Sequence, residues 1–142
     1  MEEPTERRFC NGGFVKVWNC FDKLSMLLDE YKSELYRYNT LIRNTEYYLK
    51  PVHKVYYKGV DGTRIIYEYY GTYWWKKKKK GYKTYLEYIG KDKPEHSLPD
   101  PPRNPLAGVR IGRGEDYFII PASVFLEYSK LFANCRWECL EE

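Results

Sequence analysis

Five consecutive lysines, Lys76 to Lys80, follow Trp74-Trp75 and precede Tyr82 and Lys83. Ammonium groups neutralise phosphates, and an exposed aromatic ring stacks on an unpaired base or packs on a sugar. A twisted basic β-ribbon can also enter a DNA groove. The competing reading is a hairpin tip whose lysines block edge-to-edge aggregation. Five in a row exceed what edge protection needs, so nucleic acid is the favoured partner, ahead of an anionic membrane or an acidic protein surface. The surrounding charge agrees. Residues 50–93 carry twelve basic against four acidic side chains, +8, whereas the rest of the chain is −4. A basic segment on a neutral-to-acidic scaffold is the footprint of polyanion binding. Lys54, Lys58 and Arg64 would extend the patch if they share its face.

Other chemistry is harder to write with these residues. Four cysteines stand as CX9C and CX3C pairs, Cys10 with Cys20 and Cys135 with Cys139, far from the common zinc-knuckle spacing. Free, partly buried thiols are the default expectation. A zinc site joining the ends of the chain, or disulfides, are the alternatives, the latter mainly for a hyperthermophile. No metal site and no cofactor are expected. His53 and His96 lack a local catalytic partner, and the sequence holds no Gly-rich phosphate loop, HExxH or GxSxG. A tyrosine nucleophile would need Arg, His or Lys arranged around a scissile phosphate, and no such signature is present. The expectation is a binding protein without catalytic residues.

The elements that would position the basic run follow from periodicity. Phe14, Val17, Phe21, Leu24, Leu28, Tyr31, Leu35, Tyr38, Ile42, Thr45 and Leu49 are spaced alternately by three and four. That heptad-like stripe predicts a long helix over 20–49, about 45 Å at 1.5 Å per residue, closed by Pro51. Asn19 with Asp22 would cap it, leaving Phe14–Trp18 as a short strand before it. Leu24, Leu28, Tyr31, Leu35, Tyr38 and Ile42 are candidate oligomerisation residues for a coiled-coil homodimer, with packing on the sheet as the alternative. From 52 to 90 the period becomes two. His53–Lys58 and Thr63–Lys78 read as strands around the Gly59–Gly62 turn, and Lys80-Gly81 turns into Lys83–Gly90. Pairing Lys78 with Lys83 gives a core face of Tyr73, Trp75, Leu86 and Tyr88. The opposite face then carries Trp74, Lys76, Lys78, Lys83, Tyr85 and Glu87. Trp74 and Tyr85 are the candidate stacking residues beside the phosphate-binding Lys76, Lys77, Lys78, Lys79, Lys80 and Lys83.

The segment Tyr67–Gly90, YEYYGTYWWKKKKKGYKTYLEYIG, resembles a hairpin recurrent in small archaeal, plasmid and viral proteins. It is similar to a segment near the N-terminus of integrases from archaeal spindle-shaped viruses. An aromatic strand, a Lys/Gly turn and a Tyr-X-Gly exit, here Tyr88-Ile89-Gly90, carry the likeness over about a sixth of the chain. The resemblance implies a DNA-associated accessory protein of an archaeal virus or mobile element, with a thermophilic source, and transfers no activity.

The sequence therefore predicts an α+β fold, a long N-terminal helix packed on a small antiparallel sheet, with a second β-hairpin and a short C-terminal helix. The organisation would be a flexible tail over 1–13, helix and three-stranded meander over 14–90, and a Pro-rich linker over 91–106. Residues 107–142 would hold the second hairpin, a helix opening at Pro121 and an acidic tail. The expected function is DNA or RNA binding through the basic hairpin. The alternative is a protein-interaction module, such as a viral inhibitor of a host defence complex, assembling through the heptad helix. No apolar run reaches the 18 residues of a membrane span, and Met1–Pro4 lacks a signal-peptide pattern, so a cytoplasmic location is expected.

Overall fold

The computed structural model describes residues 9–140. Strand exceeds helix, 42% against 22%, in seven antiparallel strands and three short helices, so the predicted α+β fold with a long N-terminal helix is not what forms. The chain folds into two compact units, each built from separated stretches. The first comprises Met1–Leu27, Lys54–Tyr69 and Val109–Glu142; the second comprises Leu28–His53 and Tyr70–Gly108. The tail expected over 1–13 lies outside the described residues as far as residue 8, and Phe9–Gly12 forms a 3-10 turn. Of the acidic tail, residues 141–142 also lie outside them.

The predicted 20–49 helix is three elements. Helix α1 spans Phe21–Met26, α2 spans Asp29–Leu41, and from Tyr47 the chain is already in strand β2, Tyr47–Lys58. The helical ladder breaks at Leu27 and Leu28, the C-cap of α1 and the N-cap of α2. After Ile42 a side-chain turn takes over. Thr45 Oγ1 donates to Ile42 O at 2.6 Å and accepts from Tyr47 N at 3.1 Å. Asn39 then treats Leu49 as a strand neighbour, its amide donating to Leu49 O at 2.9 Å and accepting from Leu49 N at 3.0 Å. A three-four spacing at Ile42, Thr45 and Leu49 fits this turn and strand as well as it fits a helix, and the β-formers Tyr47 and Tyr48 favour the strand. Pro51 stops nothing; it sits within β2, at the end of the strand order, where a missing N–H is tolerated. Asn19 does not cap α1. Cys20 holds that position without a side-chain bond, and both residues have left-handed φ, 56° and 54°.

In the first unit the strand order is β2-β3-β5-β6-β1-β7, β2 entering through residues 54–58. Strand β1 is Phe14–Trp18, the short strand expected before α1, and β3 is Arg64–Lys80, of which residues 64–69 belong here. Strands β5, Arg110–Arg113, and β6, Tyr117–Pro121, form the expected second hairpin, and β7 is Arg136–Leu140. Helix α3, Ala122–Glu127, follows β6 directly. Alternation sends Val15, Val17, Ile111, Phe118 and Ile120 into one fully buried layer. Phe21 of α1 lies 5.6 Å from Phe118, and Phe125 of α3 stacks on Phe132 at 5.4 Å, so both helices cover that side.

Two disulfides, Cys10–Cys139 and Cys20–Cys135, span 129 and 115 residues and lie at the two ends of the β1–β7 ladder. Their Cα separations, 5.2 and 6.3 Å, fall in the ordinary disulfide range. The default expectation of free thiols does not hold: among the described residues no cysteine is free. Periodicity could not show this, because the partners meet only once β7 has returned to β1.

In the second unit β2 and β4, Lys83–Gly90, both neighbour β3. The buried stripe of α2 packs here, with Trp74 edge-on to Tyr38 at 6.1 Å. Residues 91–106 carry no helix or strand, yet they are anchored. Leu98, Asn104 and Leu106 are buried, and Tyr38 Oη donates to Pro99 O at 2.6 Å. Asn104 Nδ2 donates to Pro51 O at 3.2 Å and Gly71 O at 3.1 Å, while its Oδ1 accepts from Leu106 N. No helix among the described residues is long and apolar enough to cross a membrane.

Candidate nucleic-acid interface

The basic run lies where strand β3 pairs with β4, and Lys77 N on its other edge donates to Glu46 O, just before β2, at 2.6 Å. The hairpin closes by pairing Lys80 with Lys83, so its loop is Gly81-Tyr82. Gly81 takes φ +64° at the first loop position, a conformation that costs a glycine little. The register differs by two from the predicted Lys78–Lys83 pairing: Lys78 faces Tyr85, Lys76 faces Glu87 and Trp75 faces Tyr88. An even shift leaves each side chain on its expected face. Lys76, Lys78, Lys83, Tyr85 and Glu87 still share one side, with Trp75, Leu86 and Tyr88 on the other.

Trp74 also keeps its expected face but is not exposed there. A bulge adds Ile89 to β4, so Trp74 pairs with Gly90, while Tyr73 and Trp75 on either side of it both meet Tyr88. The Trp74 face is the one on which Tyr38 of α2 packs, and its ring is buried there at 1% exposure. It cannot stack on a ligand. Trp75 stays half-buried, 5.4 Å from Tyr88 with the Lys50 ammonium 4.6 Å above its ring. The face expected as core is therefore only partly covered, and Tyr88 remains 45% exposed.

The lysines divide into two sets. Lys77 is a structural residue: its Nζ donates to Arg43 O at 3.0 Å and Thr45 O at 3.2 Å, satisfying carbonyls just past the end of α2. Lys76 lies 3.8 Å from the Glu46 carboxylate and Lys78 3.7 Å from that of Glu87. Both pairs are partly exposed, so solvent screens them strongly. Lys79, Lys80 and Lys83 are exposed and make no ion pair among the described residues. Two rings flank them, Tyr82 at 98% exposure and Tyr85 at 47%. Sequence reasoning missed Tyr82 as a site residue. A residue at the tip of a two-residue loop has no sheet neighbour, so its exposure follows once the turn is centred correctly.

Lys54, Lys58 and Arg64 do not belong to this cluster; they lie in the first unit, where all three are exposed. Lys54 is 3.8 Å from Glu68, a buried carboxylate that also accepts from Arg113 Nε at 2.7 Å. Lys58 and Arg64 flank the turn in which Asp61 Oδ1 accepts from Thr63 N at 3.0 Å. The Thr63 side chain and backbone hold the Asp61 carboxyl below the usual range.

The candidate oligomerisation stripe is consumed within the chain. Leu24, Leu28, Tyr31, Leu35, Tyr38 and Ile42 are all buried, Leu24 in the first unit and the others in the second. A coiled coil is excluded by the break at Leu27–Leu28 and by this burial. Among the described residues no cluster of His, Cys, Asp and Glu could hold a metal ion. Comparison of the chain with protein-family models, curated proteins and solved structures gives no match.

Proposed function

We propose that this chain binds DNA or RNA through the tip of the β3–β4 hairpin, as a binding protein and not an enzyme. The observation that carries the reading is the hairpin tip: Lys80 and Lys83 share a face with exposed Tyr85, Lys79 stands on the other face and Tyr82 in the loop, and the three lysines are exposed and without ion pairs among the described residues. The ammonium groups contact phosphates, and the two rings pack on sugars or unpaired bases. Strand β4 has eight residues, about 27 Å of ribbon at 3.4 Å per residue, and a two-stranded ribbon fits a major groove. Lys76 and Lys78 add long-range attraction, while Lys77 holds the base of the hairpin.

The likeness of Tyr67–Gly90 to the hairpin of spindle-shaped-virus integrases supports the same reading and adds no activity. A protein-interaction module built on the α2 stripe loses its surface, because that stripe is buried. Persistent disulfides favour an oxidising compartment over a reducing cytosol, which weighs against the cytoplasmic expectation.

The test is binding to labelled duplex DNA, single-stranded DNA and RNA across a salt series. Replacing Lys79, Lys80 and Lys83 with Gln should weaken duplex binding and lower its salt slope by about 0.9 per lost phosphate contact. The Lys76→Gln, Lys78→Gln double variant should lose less. Unchanged affinity and slope in the triple variant would sink the proposal.

A further inference from the structure

The first unit's sheet has helices on one side only. Because Val15, Val17, Phe118 and Ile120 point at α1 and α3, their neighbours Phe14, Lys16, Trp18 and Tyr117 point the other way. The register continues that second face across the strands: Trp18 lies between Tyr117 and Arg136, and Arg110 extends the face on β5. These rings are half-buried, and Arg110 and Arg136 are exposed.

Cations and rings alternate across the face. The Lys16 ammonium sits 4.8 Å from the Trp18 ring and 4.3 Å from that of Tyr117. The Arg136 guanidinium lies 4.2 Å from the Trp18 ring, and Arg110 lies 5.3 Å from that of Phe14. One acid, Glu138, faces Lys16 across the β1–β7 ladder, so the cluster keeps an excess of cations. Its rings and Lys16 remain partly open to solvent.

We infer that this face is a second binding platform, for single-stranded nucleic acid. A partner must be polyanionic to match three cations and must carry flat rings to match Trp18, Tyr117 and Phe14. An acidic peptide would use only the charges. A membrane would call for apolar side chains protruding beyond the cations, whereas these rings lie beneath them. Nucleic acid uses both. Open sheets that bind single strands do so by stacking two or three bases on such rings, and five adjacent strands span about 19 Å at 4.8 Å each, wide enough for that. Here Lys16 and Arg136 leave the rings they cover to meet the phosphates beside Arg110, and bases stack on the uncovered Trp18 and Tyr117. The platform uses none of the hairpin-tip residues and does not depend on that reading.

Fluorescence anisotropy with a labelled twelve-residue oligo-dT, and with heparin as a polyanion lacking bases, tests this. Trp18→Leu should weaken oligo-dT binding about tenfold and leave heparin affinity unchanged. Lys16→Gln with Arg110→Gln should weaken both and lower the oligo-dT salt slope by about 0.7 per lost contact. The hairpin triple variant should keep this oligo-dT component. Should Trp18→Leu fail to fold, the charge variant and Tyr117→Leu decide. Oligo-dT affinity that survives the face variants, disappears with the hairpin variant, or falls no more than heparin affinity does in Trp18→Leu would overturn the platform.

Discussion

The two units hold their strands by different means. In the first, β7 is an edge strand with largely exposed side chains, and two disulfides fasten its ladder to β1 at both ends. In the second, no covalent link is present among the described residues. Side chains acting as backbone do the fastening: Asn39 grips Leu49, Asn104 ties Pro51 and Gly71 to Leu106, and Lys77 takes two carbonyls. Each device suits its place. Cross-links constrain the unfolded chain most when they close long loops, whereas amide side chains satisfy the stray polar groups that a Pro-rich, unpaired segment brings inside.

The largest expected effect therefore comes from the cross-links. Replacing all four cysteines with Ser should lower unfolding free energy by about 5 kcal/mol or more on the chain-entropy account, since either bond alone would still close the long loop. Hydrogen exchange should show β1 and β7 losing protection before α2 does. Equal loss in both units would erase the contrast. Next is Asn104→Ala, which strands two carbonyls and one N–H in a buried place and should cost about 3 kcal/mol. Asn39→Ala removes two bonds to Leu49 and should cost about 2 kcal/mol. Denaturant midpoints at constant slope check both.

A smaller effect is set by pH. Burial first, and the nearby Glu34 charge second, push the Tyr31 phenol up to about 12. The folded state thus keeps this proton more tightly than the unfolded chain does, whose tyrosines ionise near pH 10. The stability it confers is complete below about pH 10 and fades as pH climbs towards the folded value of about 12. Tyr31→Phe should remove that part of the alkaline loss. At neutral pH it should stabilise by about 1 kcal/mol, because the Tyr31 hydroxyl is buried with no hydrogen-bond partner among the described residues. Smallest of all, Lys79→Gln, Lys80→Gln and Lys83→Gln should change stability by no more than about 0.5 kcal/mol, as exposed tip residues. A larger change would mean that the tip serves the fold.

The hairpins were legible because their signals are local. Glycine turns between alternating aromatic runs located β3, β4, β5 and β6, and two-residue periodicity survived a register error of two. The helix was misread because its stripe records burial, not continuity. Leu24 through Ile42 are all core, as their spacing implied, but the stripe passes through two helices, and Leu49 beyond it lies in a strand. Nothing in the period marks the Leu27–Leu28 break or the Asn39–Leu49 pairing, which depend on contacts made after the chain turns. Trp74 was misplaced because nothing local shows that Tyr38 of α2 packs over its face of β3. The open face of the first unit was invisible for a related reason: Lys16, Arg110 and Arg136 are scattered over 120 residues, and only strand order collects them.

The cysteine pairing also decides what a protease can separate. Each bond joins a residue at or before 20 to one at or after 135. A single cut at the exposed Gly59–Gly62 turn would open the chain, but both fragments would remain one covalent molecule. Such a nicked species would run as one band on a non-reducing gel and as two after reduction. The open face would then be divided, with Phe14, Lys16 and Trp18 on one fragment and Arg110, Tyr117 and Arg136 on the other, and would hold together until a reductant set the pieces apart.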